Sequence, residues 1–332
     1  MTCLVILIII FALIFDFLNG ANDRANAIAT TCATKALSPL QALVIASIFN
    51  ILGAFASTRV ARTIGKGIIP SENITLLILL AGIMGTVAWV FFCTKVGIPI
   101  SVSHALVGGL LGAGLASGGA GIIKWGILTK KVFLGIFLGP AAGFLVGAVF
   151  LILTTWILEK FFKHTPDQKT NRFFQLGQIF TTPFVSFAHG MNDTQNAMGL
   201  ITAALLSGGF IDRFCVPWWV KVVCGTTMGI GTFLMGWQVV KTLGWSLTKI
   251  EPKQGFVSEF GAGGVIVLHS LVGMPISTTH VVCSSVIGGT VLQNPRRCKQ
   301  IVAERMIAAW IITIPSAALL SAFIYYLIDY LL

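Results

Sequence analysis

GANDRANA at residues 20–27 and GMNDTQNA at residues 190–197 are two copies of one pattern: a Gly, an Asn-Asp pair, and a second Asn three positions after the acid. Both lie in otherwise apolar sequence. A carboxylate at bilayer depth costs about 2.5–3.5 kcal/mol on insertion scales, so it is retained where it faces a protein-lined cavity with a partner. That costly group occurs twice here, at Asp23 and Asp193, which points to an internal duplication.

Three further blocks repeat in the same order. VARTIG (60–65) returns as VVKTLG (239–244), GIPISVSH (97–104) as GMPISTTH (273–280), and GPAAG (139–143) weakly as IPSAA (314–318). Offsets of 170 to 179 residues leave room for only small insertions. Duplicated halves of this kind mark secondary transporters, whose substrate site lies between the repeats near the midplane. The expected organisation is a first transmembrane repeat at 1–158, a polar linker at 159–172 and a second repeat at 173–332.

Composition agrees with a polytopic membrane protein. The chain has 332 residues, of which 56% are hydrophobic and only 10% charged, against roughly 25% charged in soluble domains. Apolar runs between charged clusters suggest about eight to ten spans of ~20 residues, enough to cross ~30 Å of hydrocarbon, and no soluble domain is left over. The excess of 22 Lys and Arg over 11 Asp and Glu sits mainly between the runs, as topology signals do, so nucleic acid is not an expected partner. The seven cysteines (3, 32, 93, 215, 224, 283, 298) show no Cys-x-x-Cys spacing and read as packing residues. The run at 2–18 has no basic stretch before it and leads straight into the first motif, so it reads as a span and not as a signal peptide.

Local propensity adds detail. Asn19-Gly20-Ala21-Asn22 is poor helix sequence, which predicts a broken helix lining a binding site. The glycine-dense stretch at 97–121 predicts a re-entrant hairpin packed against protein, and Gly139-Pro140 an interruption in the run at 132–158. Both copies of the second block are basic (Arg59, Arg62, Lys66 against Lys241, Lys249, Lys253), so charge bias alone would place both in the cytoplasm. The roles of Asp16 and Glu259 stay open.

The paired motifs carry the chemistry. In each P-I-S block a Pro and a Ser sit where a helix would start. A helix N-terminus offers unpaired N–H groups and about half a positive charge, which suits an oxyanion. Ser101, Val102, Ser103 and His104, with Ser277, Thr278, Thr279 and His280, are therefore the candidate anion site. They could equally cap buried half-helices, and either His could hold its hairpin by a hydrogen bond. Asn22, Asp23, Asn26, Asn192, Asp193 and Asn196 supply hard oxygen donors suited to Na⁺, Mg²⁺ or Ca²⁺. An alkali ion is the first choice and a proton the second.

A dianionic phosphate beside Asp23 and Asp193 would gather about four negative charges, and one unit pair at 4 Å repels by ~4 kcal/mol at an effective dielectric of 20. Cations must load before the anion, which is symport by charge neutralisation.

Taken together, GANDRANA, GMNDTQNA, GIPISVSH and GMPISTTH, ordered in two halves, resemble the inorganic phosphate transporter (PiT) family of cation-coupled symporters over nearly the whole chain. The resemblance implies an all-α polytopic fold of two repeats, inverted in topology, with broken helices and re-entrant hairpins. It also implies a homodimer in the plasma membrane, in contact with lipid, with sodium as coupling ion and no further cofactor. By the same resemblance, the six Asn and Asp residues hold sodium, and the hydroxyls and amides of the P-I-S blocks hold phosphate. Arg24 stands where many members carry a small or apolar residue, and the large central hydrophilic loop of animal members is missing. The alternatives are proton-coupled carriage of phosphate, metal-phosphate or sulfate, and more remotely a channel or an intramembrane enzyme. Intramembrane aspartyl proteases use Gly-x-Gly-Asp, whereas Asn precedes both acids here.

Overall fold

A computed structural model of the chain describes residues 1–291 and 299–331. Lipid offers no hydrogen bonds, so apolar sequence of this kind satisfies its backbone internally as helix. In the first half these are α1 (Thr2–Ala33), α2 (Pro39–Gly53), α3 (Arg59–Gly67), α4 (Leu76–Val96), α5 (Val102–Gly118), a one-turn α6 (Trp125–Ile127) and α7 (Leu134–Phe161). The second half contributes α8 (Asp167–Ser207), α9 (Trp218–Leu234), α10 (Trp237–Lys241), α11 (Pro252–Leu271), α12 (Thr278–Val291) and α13 (Gln300–Leu331). No strand occurs among the described residues.

Equivalent helices pack in exchanged pairs. α1 lies on α9 as α8 lies on α2, and α7 covers α12 as α13 covers α5. Each long motif helix also packs on the fourth main helix of its own half, α1 on α4 and α8 on α11. The two halves are therefore interleaved around α1 and α8, whose middle turns are buried on all sides. The outer faces of α7 and α13 carry exposed Phe137, Leu145, Trp156, Ile311, Leu319 and Phe323, an apolar belt suited to lipid.

Three expectations change. The break in span one is absent: α1 runs unbroken through residues 19–22. Gly20 is there for close approach, since a Cβ would run into the Met228 carbonyl and Thr232 amide of α9, and Gly190 in α8 is equally crowded by Asn50 of α2. The Asn side chains bond to other helices instead of competing for their own backbone. Pro140 does not interrupt its run either, because α7 continues through it, as α13 does through Pro315. Among the described residues only five helices are long and apolar enough to span, or six if α9 and the following 237–245 segment, bent by 64°, count as one. With 15 and 14 residues, α2 and α12 reach only about 21–23 Å at ~1.5 Å per residue, and polar residues dilute α8 and α11.

The glycine-dense stretch is a helical hairpin. α4 ends at Gly97, whose φ of +82° turns the chain, and α5 follows with residues 102–114 all buried between α4 and α13. Gly273, at φ +70°, turns α11 into α12 in the same way. The polar stretch at 159–172 is mostly helical, so only residues 162–166 join α7 to α8. Cys32, Cys93, Cys224 and Cys283 are buried and free, Cys3 and Cys215 exposed and free, and Cys298 lies outside the described residues.

Candidate functional site

The two Asn-Asp motifs face each other at mid-helix in α1 and α8, and each reaches into the other half. Asn26 Nδ2 donates to Thr279 Oγ1 at 3.0 Å and lies 3.3 Å from Thr278 Oγ1, both at the start of α12. Asn196 Nδ2 donates to Ser103 Oγ at 2.7 Å, at the start of α5. Within its own half, Asn22 Nδ2 donates to Thr94 Oγ1 at 3.0 Å and the Asn192 amide meets Ser270 Oγ at 2.8 Å, each at the end of the first helix of a hairpin.

Both P-I-S blocks start helices as expected, with Ser101 and Ser277 as N-caps. Ser101 Oγ accepts from the His104 amide at 3.2 Å, and Ser277 Oγ from the His280 amide at 3.1 Å. The next hydroxyls turn to the acids. Thr279 donates to Asp23 Oδ1 at 2.9 Å, while Thr278 stands 3.1 Å from Asp193 Oδ2 and 3.3 Å from Asp23 Oδ2. Val102 and Ser103 open α5 and are buried. Of the expected site residues, the structure joins Asp23, Asn26, Asp193, Thr278 and Thr279 in one cluster, pairs Asn196 with Ser103 and Asn22 with Thr94, and uses Ser101 and Ser277 as caps. His104 and His280 stand apart: their rings meet edge to face at 5.0 Å, His280 stacks on Trp310 at 3.9 Å, and neither ring nitrogen of His104 has a hydrogen-bond partner. The expected hairpin-holding bond from His104 is not formed.

The residue that sequence reading missed is His189, immediately before the second motif. Thr232 donates its hydroxyl proton to the Met228 carbonyl at 3.0 Å, so it accepts from Asn50 Nδ2 at 3.0 Å. Asn50 Oδ1 therefore faces His189 Nδ1, 2.9 Å away, and Nδ1 must be the donor. The buried Nε2 then points at Asp193 Oδ2, 3.4 Å away, and Asp23 Oδ2, 3.7 Å away. Three ligand atoms thus lie within 4.8 Å of one another. With a neutral ring Nε2 offers a lone pair and the trio suits a cation; with a protonated ring Nε2–H faces both acids and the trio holds a proton.

Asn192 ties the second motif to its surroundings: its amide nitrogen donates to Asp193 Oδ1 at 3.0 Å and to the Ile276 carbonyl at 3.2 Å, and its oxygen accepts from Ser270 Oγ at 2.8 Å.

Three charged residues surround this centre. Glu259 of α11 is wholly buried in a cage of hydroxyls: Oε1 accepts from Thr30, Thr31 and Gln178 at 2.5, 2.7 and 3.0 Å, and Oε2 from Thr181 and Thr182. Asp16 is also fully buried, and neither of its oxygens has a hydrogen-bond partner. Arg24 points away from the acids: Nη1 donates to the Met235 carbonyl at the end of α9, and the guanidinium lies 5.5 Å above Trp237. It caps the bend between α9 and α10 and binds no acid. Gln195, inside the second motif, caps another element, its Oε1 accepting from the Val60 and Ala61 amides of α3 at 2.8 and 3.1 Å.

The chain is similar in sequence and in fold to known proteins. Residues 19–321 match the phosphate transporter family. A Mycobacterium bovis protein described as a "probable low-affinity inorganic phosphate transporter" is 39% identical over 330 residues, covering 99% of this chain and 78% of its own. A Bacillus subtilis protein of the same description is 37% identical over 330 residues, with 98% and 97% covered. A solved structure described as "the sodium-dependent phosphate transporter" aligns at a TM-score of 0.90 with 25% identity over 100% of both chains.

Proposed function

The chain belongs to the phosphate transporter family, and from that premise we propose that it moves inorganic phosphate by sodium-coupled symport, alternating access between two inverted repeats. Membership makes it a multi-pass integral membrane transporter and not an enzyme. The observation that supports cation coupling is the convergence of the buried side chains of Asp23, Asp193 and His189, with ligand atoms within 4.8 Å of one another.

In this reading Asp23 and Asp193 bind sodium first, with Asn22, Asn26, Asn192 and Asn196 supplying or orienting amide oxygens. Phosphate then binds where the first turns of α5 and α12 begin, using amides and hydroxyls of Ser101, Val102, Ser103, Ser277, Thr278 and Thr279, with His104 and His280 behind them. Each carboxylate–dianion pair at 4 Å costs ~8 kcal/mol at an effective dielectric of 20, so at least two monovalent cations accompany each anion. Reciprocal packing of the halves supports a common two-fold relation between them, and inversion lets one rocking motion open either face. A homodimer in the plasma membrane belongs to the same proposal and is supported by the family resemblance.

The competing reading puts a proton in place of sodium, favoured by the position of His189 between two acids. Labelled phosphate uptake into liposomes, with sodium and proton gradients imposed one at a time, separates the two. Uphill uptake driven by sodium alone, with two or more ions per phosphate, is the expected result; uptake driven only by protons overturns sodium coupling, and downhill flux alone indicates a channel.

A further inference from the structure

A surface cavity of about 760 Å³ opens beside α3. At ~30 Å³ per water it has room for on the order of twenty-five waters, enough for hydrated anions. Five cationic side chains line it: Arg59, Arg62 and Lys66 from α3, and Lys124 and Lys131 from the segment after α5. Glu72 is the one acid in its lining, and among the described residues none of the five cations is ion-paired. The convergence is built by the fold. Positions 59, 62 and 66 share one face of α3, and the Lys124 amide donates to the Ile68 carbonyl at 2.9 Å, fastening the second segment to the end of the first.

Its counterpart in the other half is built alike and lined differently. Thr63 Oγ1 donates to the Gly273 carbonyl at 2.7 Å beside the basic cavity, and Thr242 Oγ1 to the Gly97 carbonyl at 3.1 Å beside a cavity of about 700 Å³. That second cavity is walled by Trp89, Val96, Ile98, Met306 and Ile312, with Arg305 its one charged residue. Lysines occur near both elements in the sequence, yet among the described residues they converge on the cavity at α3 and not on its counterpart. A topology signal needs charge at the boundary and not such convergence.

The basic cavity is also joined to the elements of the candidate site at two points. Gln195, next to Asn196, caps the start of α3, and Gly273 lies four residues before Ser277. We propose that this cavity is a second anion site, which collects inorganic phosphate from solution on its side of the membrane and holds it beside α3. The proposal rests on the chain being a phosphate carrier. Clefts lined by one sign of charge raise local counter-ion concentration and on-rate by about 10–10³-fold, an effect that fades as salt shortens the Debye length.

Two measurements test it, the second independent of transport. In Arg62→Gln/Lys66→Gln/Lys131→Gln, the phosphate KM for sodium-driven uptake should rise about fivefold or more at low ionic strength and converge with wild type at high salt, with maximal rate retained. An unchanged KM at low salt overturns the proposal. Separately, Lys66→Cys in a background with Cys3, Cys215 and Cys298 replaced by serine is labelled with anionic and cationic thiol reagents in neutral phosphatidylcholine liposomes. The anionic reagent should react about tenfold faster than the cationic one, and millimolar inorganic phosphate should slow it. No charge preference, or no protection by phosphate, overturns the site. So does protection that needs phosphatidylglycerol in the bilayer, since that would assign the cavity to lipid headgroups. Loss of transport in wild type, with labelling and protection intact, would instead count against the carrier reading.

Discussion

The first motif and the second are built on one plan and differ in what stands behind it. Asn26 reaches Thr279 as Asn196 reaches Ser103, and Asn22 meets Thr94 as Asn192 meets Ser270. Behind the first acid stand Asn19, bonded to the Asp193 carbonyl, and the unpartnered Asp16. Behind the second stands His189, bonded to Asn50 and aimed at both acids. The matched contacts hold the geometry together, and the unmatched ones set the charge. The candidate site is thus matched in its contacts and unmatched in its charges, so in the sodium-coupled reading its two acids should bind cations with different affinity.

The largest effect should come from the matched acids. Asp23→Asn and Asp193→Asn each remove ~4 kcal/mol of attraction for a cation at 4 Å and an effective dielectric of 20, which weakens sodium binding by roughly a hundred- to a thousandfold. Sodium titration of phosphate uptake reads this directly, and near-normal uptake by both variants would remove the site. His189→Asn copies the first half onto the second. It leaves Asn50 Oδ1 without its donor, a stability loss of about 1–3 kcal/mol for a buried acceptor, and removes the group that faces both acids, so the sodium midpoint should shift as well. An unchanged midpoint would mean that the halves do not differ through His189. Arg24→Ala should matter least for transport. It removes a helix cap and a ring contact, together about 1–2 kcal/mol, so thermal unfolding should come a few degrees earlier while sodium dependence stays put.

What could be read in the sequence was whatever occurred twice. Asn-Asp and P-I-S stood out because an expensive or turn-forming group recurred at the same spacing, and the structure gathers those groups at one centre. His189 had no copy in the first half, and Asn50 looked like one polar residue in an apolar helix, so neither carried a signal until the fold joined them. An i,i+4 relation between His189 and Asp193 was visible and could have raised the question. Glu259 was visible as an acid, but its cage of Thr30, Thr31, Thr181 and Thr182 was not, because single threonines are unremarkable in spans. The predicted helix break failed for a specific reason: Asn19-Gly20 has turn propensity, but here Gly20 admits α9 and the asparagines bond outward. The convergence of charge at α3 depended on which distant lysines folded toward it, which no local pattern encodes.

The Thr278 hydroxyl sits within reach of one carboxylate oxygen from each half and has a single hydrogen to give. In the sodium-coupled reading an ion arriving at one acid would displace that hydrogen toward the other, where it competes with a second ion. Thr278→Val keeps the shape and deletes the rotor, so the Hill coefficient for sodium should rise toward one. Two binding events that compete for one hydrogen would not be independent.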